Sequence, residues 1–474
     1  MEALRDAIVN SAHQLYASLP AHGKPVVRSN GTPEWTILST ISLVDCSNPS
    51  TESIIPISLG TGVKCLPYTK LSKYGDTLHD CHAEILARRG LMRWLLYQAQ
   101  LYTRSRSCSD EEGTDETVYL ELVNGRFRLK GNLQLWLYIS MLPCGDASTF
   151  YTSSHQSVEE ASQWKEADSR SINQADIHIS RGRNGYTALS TLRTKPGRPD
   201  SIPSISMSCS DKIASWSILG IQGGLLSNIF EPIYLDGIIV GGLDTPSSVN
   251  EVEWREKIKR EMERSIWGRL ESIKDHIPDP YVLHRPAVHF SSNSFEHSKS
   301  TLAKTPTVDS LETSPSPLSI SHLPFMPAST TRKGVKPEII ADGGALGHPW
   351  KKGKLIKEKG RSRICKLALL GEYERVIANL DPDQNYDLVK SQKTFYDYKH
   401  NHASKYQLVK SILRGIPKQG NTLKGLESFD EILSTGIADI PGSSLEYPAP
   451  IPPFKGWLVA GKPFESFTAS GIIP

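Results

Sequence analysis

The chain of 474 residues is long enough for a large core, and 38% hydrophobic with 22% charged residues is an ordinary globular composition. Its 54 basic and 51 acidic side chains leave a net charge of +3, which excludes a strongly basic protein and leaves nucleic-acid binding to a local basic face. The seven cysteines show no secreted disulfide framework, and neither a signal peptide nor an apolar run near the roughly 20 residues of a bilayer span is evident. We therefore expect a cytoplasmic or nuclear protein with reduced thiols, no membrane contact and no required protein partner.

Helical and strand patterns alternate along the chain. Spacing of apolar residues predicts helices over 3–19, 84–102, 211–219 and 252–273. Runs rich in β-branched and aromatic residues predict strands over 35–44, 54–59, 117–123, 126–130, 133–141 and 233–240. Asn124-Gly125 predicts a hairpin turn, and residues 60–65 a glycine-bearing turn.

Several segments differ in composition from the rest of the chain. Residues 151–185 are polar and are predicted to form a surface insertion. Residues 290–333 are dense in Ser, Thr and Pro, which predicts a disordered insert because such a segment buries too little apolar surface to offset its ordering. Residues 350–366 are basic, and residues 388–413 with a Pro-rich tail at 447–453 predict a helical lobe.

The motif with chemical content is Asp80-Cys81-His82-Ala83-Glu84, at the start of a helical pattern. His82 is a candidate zinc ligand, and Glu84 is a candidate proton carrier beside it. One imidazole cannot hold zinc alone, and Cys144 and Cys209 are the best further ligands. Two alternatives stay open at this point. Cys81 could replace Cys209, or Cys81 or His79 could add a fourth ligand and make the site purely structural.

A His-x-Glu motif with a later Pro-Cys is typical of zinc nucleobase deaminases. Here the second cysteine lies far downstream, in Met207-Ser208-Cys209-Ser210-Asp211-Lys212. Four segments resemble the tRNA-specific adenosine deaminase 1 family and its relatives that edit RNA. They are the segment around Cys209 just given, Leu192-Arg193-Thr194-Lys195-Pro196-Gly197-Arg198, Gly220-Ile221-Gln222-Gly223 and Glu231-Pro232-Ile233-Tyr234.

The resemblance implies an α/β fold with a cytidine-deaminase-like core, a mixed sheet flanked by helices, elaborated by the C-terminal helical lobe. It implies one deaminase domain over residues 1–474. It also implies that zinc is held by His82, Cys144 and Cys209, that Glu84 is catalytic, and that adenosine 37 of alanine tRNA becomes inosine. Arg198 stands in a short basic loop where the duplex-editing relatives carry the residue that fills the space of the flipped base. We expect this loop to suit a base already exposed in an anticodon stem-loop. Contacts to the RNA backbone and a solvated basic loop explain Lys351, Lys352 and Lys354 equally well.

The resemblance further implies bound inositol hexakisphosphate. Its expected contacts are Lys64, Ile85, Arg88, Arg89, Lys195, Lys212, Lys366, Lys399, Tyr406, Gln407, Lys410, Trp457 and Lys462, with Asp80 and Lys195 linking them to the zinc site. Two positions depart from the editing enzymes: Ser215 replaces an Arg, and His79 replaces an Asn. Each cation taken alone is more readily explained as a solvated surface residue, and only the whole set together favours the ligand.

Two further functions compete with tRNA deamination. One is adenosine editing in messenger or duplex RNA. The other is a zinc-stabilised RNA-binding protein without catalysis, which the complete set of His82, Glu84, Cys144 and Cys209 argues against.

Overall fold

The computed structural model describes residues 2–47, 53–107, 117–155, 162, 179–182, 188–195, 201–246, 249–303, 312–325, 336–348, 351, 353–380, 393–401, 404–415 and 451–474. The strands are β1 Glu34–Trp35, β2 Leu38–Asp45, β3 Ser53–Thr61, β4 Val63–Cys65, β5 Asp80–His82, β6 Leu120–Val123, β7 Arg126–Leu129, β8 Leu133–Ile139, β9 Ile179–Arg181, β10 Leu192–Thr194, β11 Gly237–Val240, β12 Ala287–Phe290, β13 Ser314–Pro315, β14 Ser319–His322, β15 Glu338–Ala341 and β16 Gly344–Ala345.

The helices are α1 Glu2–Ser18, α2 Ala83–Ser107, α3 Thr149–His155, α4 Cys209–Leu219, α5 Gly223–Leu226, α6 Glu251–Ile266, α7 Lys299–Ala303, α8 Lys366–Leu380, α9 Phe395–Lys399 and α10 Lys405–Arg414. Short 3₁₀ helices cover Tyr68–Lys70, Asp146–Ser148, Gly268–His276, Glu358–Gly360 and Lys462–Phe464. No helix in the described part of the chain is long and apolar enough to cross a membrane.

A mixed eight-stranded sheet organises the fold, in the order β12-β11-β8-β2-β3-β14-β15-β16. β8, β11 and β12 run parallel to one another, whereas the pairs from β8 through β2 to β16 are antiparallel. This mixed sheet with flanking helices confirms the predicted α/β class.

The two faces of the sheet are covered by different helices because side chains alternate along a strand. In β2, Leu38 and Val44 pack in the cluster that holds α1, whereas Ile41 and Leu43 pack in the cluster that holds α2. Both faces are therefore apolar and buried, which fixes α2 against the sheet. The start of α2 is the part of the fold that carries the site.

One prediction about the chain's organisation is wrong over part of its length. Residues 290–333 were expected to be disordered, yet 291–303 and 312–325 are ordered, and β14 lies inside the sheet between β3 and β15. Ser319 and Ser321 in β14 are 1% exposed and Ile320 is 0% exposed. Serines are tolerated at these buried positions of β14 because strand pairing satisfies the backbone polar groups. Residues 304–311 and 326–333 lie outside the described residues, as does most of the predicted insertion at 151–185.

The C-terminal helices pack on the helices near the site: α8 lies against α2, α9 against α5 and α8, and α10 against α4. Each of the last two begins with a side chain that accepts a backbone N–H: Thr394 forms a capping box with Asp397, and Ser404 accepts from Gln407. The tail residue Phe467 then stacks on Phe395. These contacts bring residues far apart in sequence close to the start of α2.

Candidate functional site

His82 and Glu84 are placed by the junction between β5 and α2. His82 is the last residue of β5, and Glu84 lies in the first turn of α2. The residues predicted as a turn at 60–65 instead form the end of β3 and all of β4, which pairs with β5. Gly60 is required there, because a Cβ on it would lie 2.5 Å from the carbonyl oxygen of Ala83. The glycine lets β3 approach the start of α2 closely.

Cys144 and Cys209 lie on two segments of the chain that meet at this junction. Cys144 follows β8, and the next residue, Gly145, has a φ of 102°. Cys209 is the first residue of α4, whose N-cap Ser208 accepts a hydrogen bond from the backbone N–H of Asp211. A Cβ on Gly145 would lie 2.1 Å from Ser208 Oγ, so a glycine here allows the two segments to touch.

The three predicted ligands converge. His82 Nδ1 lies 3.8 Å from Cys144 Sγ and 3.5 Å from Cys209 Sγ. The backbone N–H of Cys209 donates to Cys144 Sγ at 3.4 Å, and a hydrogen bond from the Cys209 side chain holds the pKa of the Cys144 thiol well below its usual range. Across the described residues, no other group of three His, Cys, Asp or Glu side chains has this geometry. One imidazole and two thiolates suit zinc and leave one coordination position open.

Glu84 lies beside this cluster. Its side chain is 1% exposed, and its Oε2 accepts a hydrogen bond from Cys209 Sγ at 3.4 Å. Burial raises the pKa of Glu84. The carboxylate is close enough to exchange a proton with a molecule held at the cluster.

Asp80 connects the cluster to a second group of cations. Lys195 Nζ lies 2.7 Å from Asp80 Oδ2 and 3.1 Å from Cys209 Sγ, and Lys212 also pairs with Asp80. Ser206 Oγ donates to the same carboxylate at 2.9 Å. Burial alone would raise the pKa of Asp80, but the two lysines hold it well below its ordinary value. Asp80 and Lys195, the residues predicted to link the two sites, therefore form a buried ion pair.

Next to this link lie six half-buried cations, which we call the cation ring: Arg88, Arg89, Lys366, Lys399, Lys410 and Arg414. Repulsion between like charges couples Arg88 to Arg89 and Arg414, Lys366 to Arg89 and Lys399, and Lys410 to Lys399 and Arg414.

The cation ring carries more positive charge than the protein balances. Burial lowers the pKa of Arg88 to about 10, and burial together with Lys399 and Arg414 lowers the pKa of Lys410 to about 7. The carboxylate paired with ring members is Glu465, which binds Lys366 at 3.0 Å and also pairs with Lys399.

The ring also contains buried polar nitrogen atoms that lack a hydrogen-bond partner. Arg89 Nη2 and the neighbouring His79 Nε2 are buried without a hydrogen-bond partner. A buried guanidinium nitrogen left unpaired is costly, so Arg89 Nη2 favours an anion bound here.

The remaining predicted anion contacts differ in their exposure and in the groups that they contact. Tyr406 is buried, and Gln407 accepts from Lys410 at 3.4 Å and donates to the carbonyl oxygen of Lys399 at 2.5 Å. Trp457 stacks under Arg414 at 3.8 Å, and Lys462 lies over the Tyr396 ring at 5.6 Å. Lys64 is exposed on β4, and Ile85 is buried beside Glu84. Arg198 lies outside the described residues.

Sequence reasoning missed three charged residues near the site. Arg414 and Glu465 belong to the ring and its counter-charge. Arg269 is 3% exposed and donates from Nη2 to Asp211 Oδ1 at 2.7 Å, in the first turn of α4 after Cys209. No local motif marks any of them, and only their meeting in space gives them a role.

Comparison with known proteins shows which family the chain resembles. The family model described as adenosine-deaminase (editase) domain matches residues 58–423. The tRNA-specific adenosine deaminase 1 of Schizosaccharomyces pombe is 38% identical over 228 residues, 48% of this chain and 54% of the relative. The protein of the same name from Saccharomyces cerevisiae is 33% identical over 265 residues, 55% of this chain and 62% of the relative.

The double-stranded RNA-specific editase Adar of Drosophila melanogaster is 32% identical over 232 residues, 48% of this chain and 31% of the relative. The chain thus spans between half and two thirds of the length of the two yeast relatives.

Proposed function

This chain belongs to the adenosine-deaminase (editase) domain family, and we propose that it converts adenosine to inosine in tRNA by hydrolysis. The observation that carries this proposal is the convergence of His82, Cys144 and Cys209 beside the buried carboxylate of Glu84. The overall reaction adds water at C6 of adenine and releases ammonia.

We assign zinc to the three converging side chains. Two sulfurs and one imidazole nitrogen form a donor set that zinc prefers, and these ligand atoms lie within 4.8 Å of one another. A zinc ion bound there supplies Lewis acidity, which lowers the pKa of water at its open position toward neutrality.

Glu84 is the proton carrier in this proposal. Its Oε2 takes a proton from the attacking water, delivers it to the ring nitrogen of the base, and then assists the departing amine. The side chain is well suited to this because it is buried next to the ligands and is not itself one of them. A donor set of three side chains, with the carboxylate of Glu84 beside it, would distinguish this site from a purely structural zinc site with four protein ligands.

We further propose adenosine 37 of alanine tRNA, in the anticodon stem-loop, as the substrate. Support comes from the two relatives named tRNA-specific adenosine deaminase 1 and from the short basic loop that contains Arg198. Lys351 and Lys354 are exposed and available for phosphate contacts, so we expect affinity to fall with salt. Lys352 lies outside the described residues.

We also propose that inositol hexakisphosphate is bound within the cation ring. Arg88, Arg89, Lys366, Lys399 and Lys410, which the family resemblance assigned to this ligand, are the ring's members together with Arg414. A compact polyphosphate gives each of these cations a partner.

A deamination assay with two RNAs tests the main proposal. Purified protein is incubated with an alanine-tRNA transcript and with a long RNA duplex, and inosine is read as A-to-G changes by sequencing. We expect inosine at position 37 of the transcript, and a loss of about a hundredfold or more in Glu84→Gln with zinc content unchanged. Glu121→Gln, at an exposed carboxylate of β6 paired with Arg128, is the matched control.

Three outcomes would contradict parts of this account. Full turnover by Glu84→Gln would remove Glu84 from the mechanism. Inosine in the duplex but not in the transcript would replace the tRNA assignment with the duplex editing suggested by the Drosophila relative. No inosine in either RNA would favour a binding protein.

A further inference from the structure

Arg414, the last residue of α10, has an unusual position for a cation at a helix end. Such a residue usually extends into solvent, where it interacts with the helix dipole. Here its guanidinium turns inward: Nη2 donates to Ser215 Oγ at 2.8 Å, and the group lies 3.8 Å from the centre of the Trp457 ring. Its Nε is buried without a hydrogen-bond partner.

The charge of Arg414 is not balanced by the protein. No ion pair joins it to a carboxylate within the described ranges, and burial lowers its pKa to about 10. Its charged neighbours are Arg88 and Lys410, which have the same sign. A hydroxyl group and an aromatic face do not neutralise a guanidinium, so the site needs an anion.

Ser215 explains how Arg414 comes to lie here. The residue sits on α4 next to Trp216, at the position where the family resemblance implies an Arg in the RNA-editing relatives. A serine is short, and Arg414 reaches across from α10 until its Nη2 contacts the serine hydroxyl. An arginine at 215 would compete for that space. The two helices therefore offer one place for a guanidinium, and in this chain α10 fills it.

We propose that Arg414 is a direct ligand of the polyphosphate and takes over the role of the cation that is absent at position 215. The inference rests on the proposed inositol hexakisphosphate site and assigns one of its contacts. The ligand class is a compact organic polyphosphate, because the ring brings together cations from α2, α8, α9 and α10, and among the described residues only Lys366 and Lys399 of the ring are paired with a carboxylate, that of Glu465.

The test measures ligand retention rather than activity. Wild-type protein, Arg414→Gln, Arg414→Lys and the exchanged double variant Ser215→Arg with Arg414→Leu are purified and dialysed in parallel. Each is then acid-treated, and the released polyphosphate is quantified per chain by ion chromatography against inositol hexakisphosphate. Arg285→Gln, at a half-exposed arginine paired with Glu271, is the control for loss of a guanidinium outside the ring.

We expect Arg414→Gln to retain about tenfold to a hundredfold less polyphosphate than wild type, the effect of losing one hydrogen bond between charged groups. Arg414→Lys should be intermediate, and the exchanged variant should recover retention. Full retention by Arg414→Gln while wild type carries the ligand would overturn the role of Arg414 but leave the proposed cofactor in place.

Two other results also decide the matter. Wild-type protein without any polyphosphate would overturn the cofactor proposal and the role of Arg414 with it. If Arg414→Gln is insoluble, the exchanged variant decides: soluble protein that carries ligand supports the proposal, and failure to recover ligand contradicts it.

Discussion

The buried ion pair between Lys195 and Asp80 allows a quantitative test of the link between the two sites. We consider Lys195→Met, which keeps the length of the side chain and removes the ammonium. Lys195 is 2% exposed and Asp80 is 6% exposed, and their closest atoms are 2.7 Å apart. Removing one partner of a buried pair costs about 3–5 kcal/mol, because the other charge is left uncompensated.

The cost here should fall at the lower end of that range. Asp80 keeps Lys212 and the hydroxyl of Ser206 after the substitution. We therefore expect a loss of about 3 kcal/mol in the free energy of unfolding, or on the order of a hundredfold in the folding equilibrium.

Urea denaturation followed by tryptophan fluorescence, at constant zinc and ligand, measures this loss from the shift in midpoint. Lys70→Met is the matched control, because its ion pair with Asp342 is 3.3 Å long and half-exposed on both sides. Such a surface pair contributes less than about 1 kcal/mol. Equal losses in Lys195→Met and Lys70→Met would refute the claim that the buried pair joins the sites.

Three further predictions concern the supports of the site. Gly145→Ala should strongly reduce bound zinc, because the residue has a positive φ and the new Cβ would clash with Ser208. Gly125→Ala is the control, since Gly125 also has a positive φ but open space around it, and this variant should keep its metal. Zinc per chain, measured by mass spectrometry, checks both. Arg269→Met should cost about 3–5 kcal/mol by urea denaturation, since Asp211 is 0% exposed and would lose this partner. Lysines hold the pKa of Glu465 well below its usual value despite burial, so its stabilisation is present above its unfolded pKa of about 4.3 and is lost as pH falls through the folded value. The melting temperature should therefore fall less between pH 7 and pH 3 in Glu465→Gln than in wild type.

The sequence indicated the candidate metal site because two of its parts have local signatures. His82 and Glu84 stand two residues apart at a helix start, and Cys144 follows Pro143 after a strand. Cys209 carries no spacing signal of its own; it was the best remaining cysteine, and the family resemblance then supported it. The structure brings all three ligands together, and Cys81 does not join them: its thiol is directed at the carbonyl oxygen of Leu78.

The features that were missed depend on contacts distant in sequence. Arg414 looks like an ordinary basic residue at a helix end, and its contacts with Ser215 and Trp457 exist only once α4, α10 and the tail are packed together. β14 was missed because Ser319-Ile320-Ser321 is short and lies in a Ser/Pro-rich context. Its conformation is set by β3 and β15 on either side rather than by local preference.

The environment of the metal tests the central claim most directly, because catalysis needs an open position and a structural site does not. Zinc K-edge absorption spectroscopy of the purified protein should show one imidazole nitrogen at about 2.0 Å, two sulfurs at about 2.3 Å and one further light atom from solvent. The spectrum should be unchanged in Glu84→Gln. Three sulfurs, a second imidazole, or a light-atom signal lost in Glu84→Gln would show that a fourth side chain closes the site, and would contradict hydrolysis there.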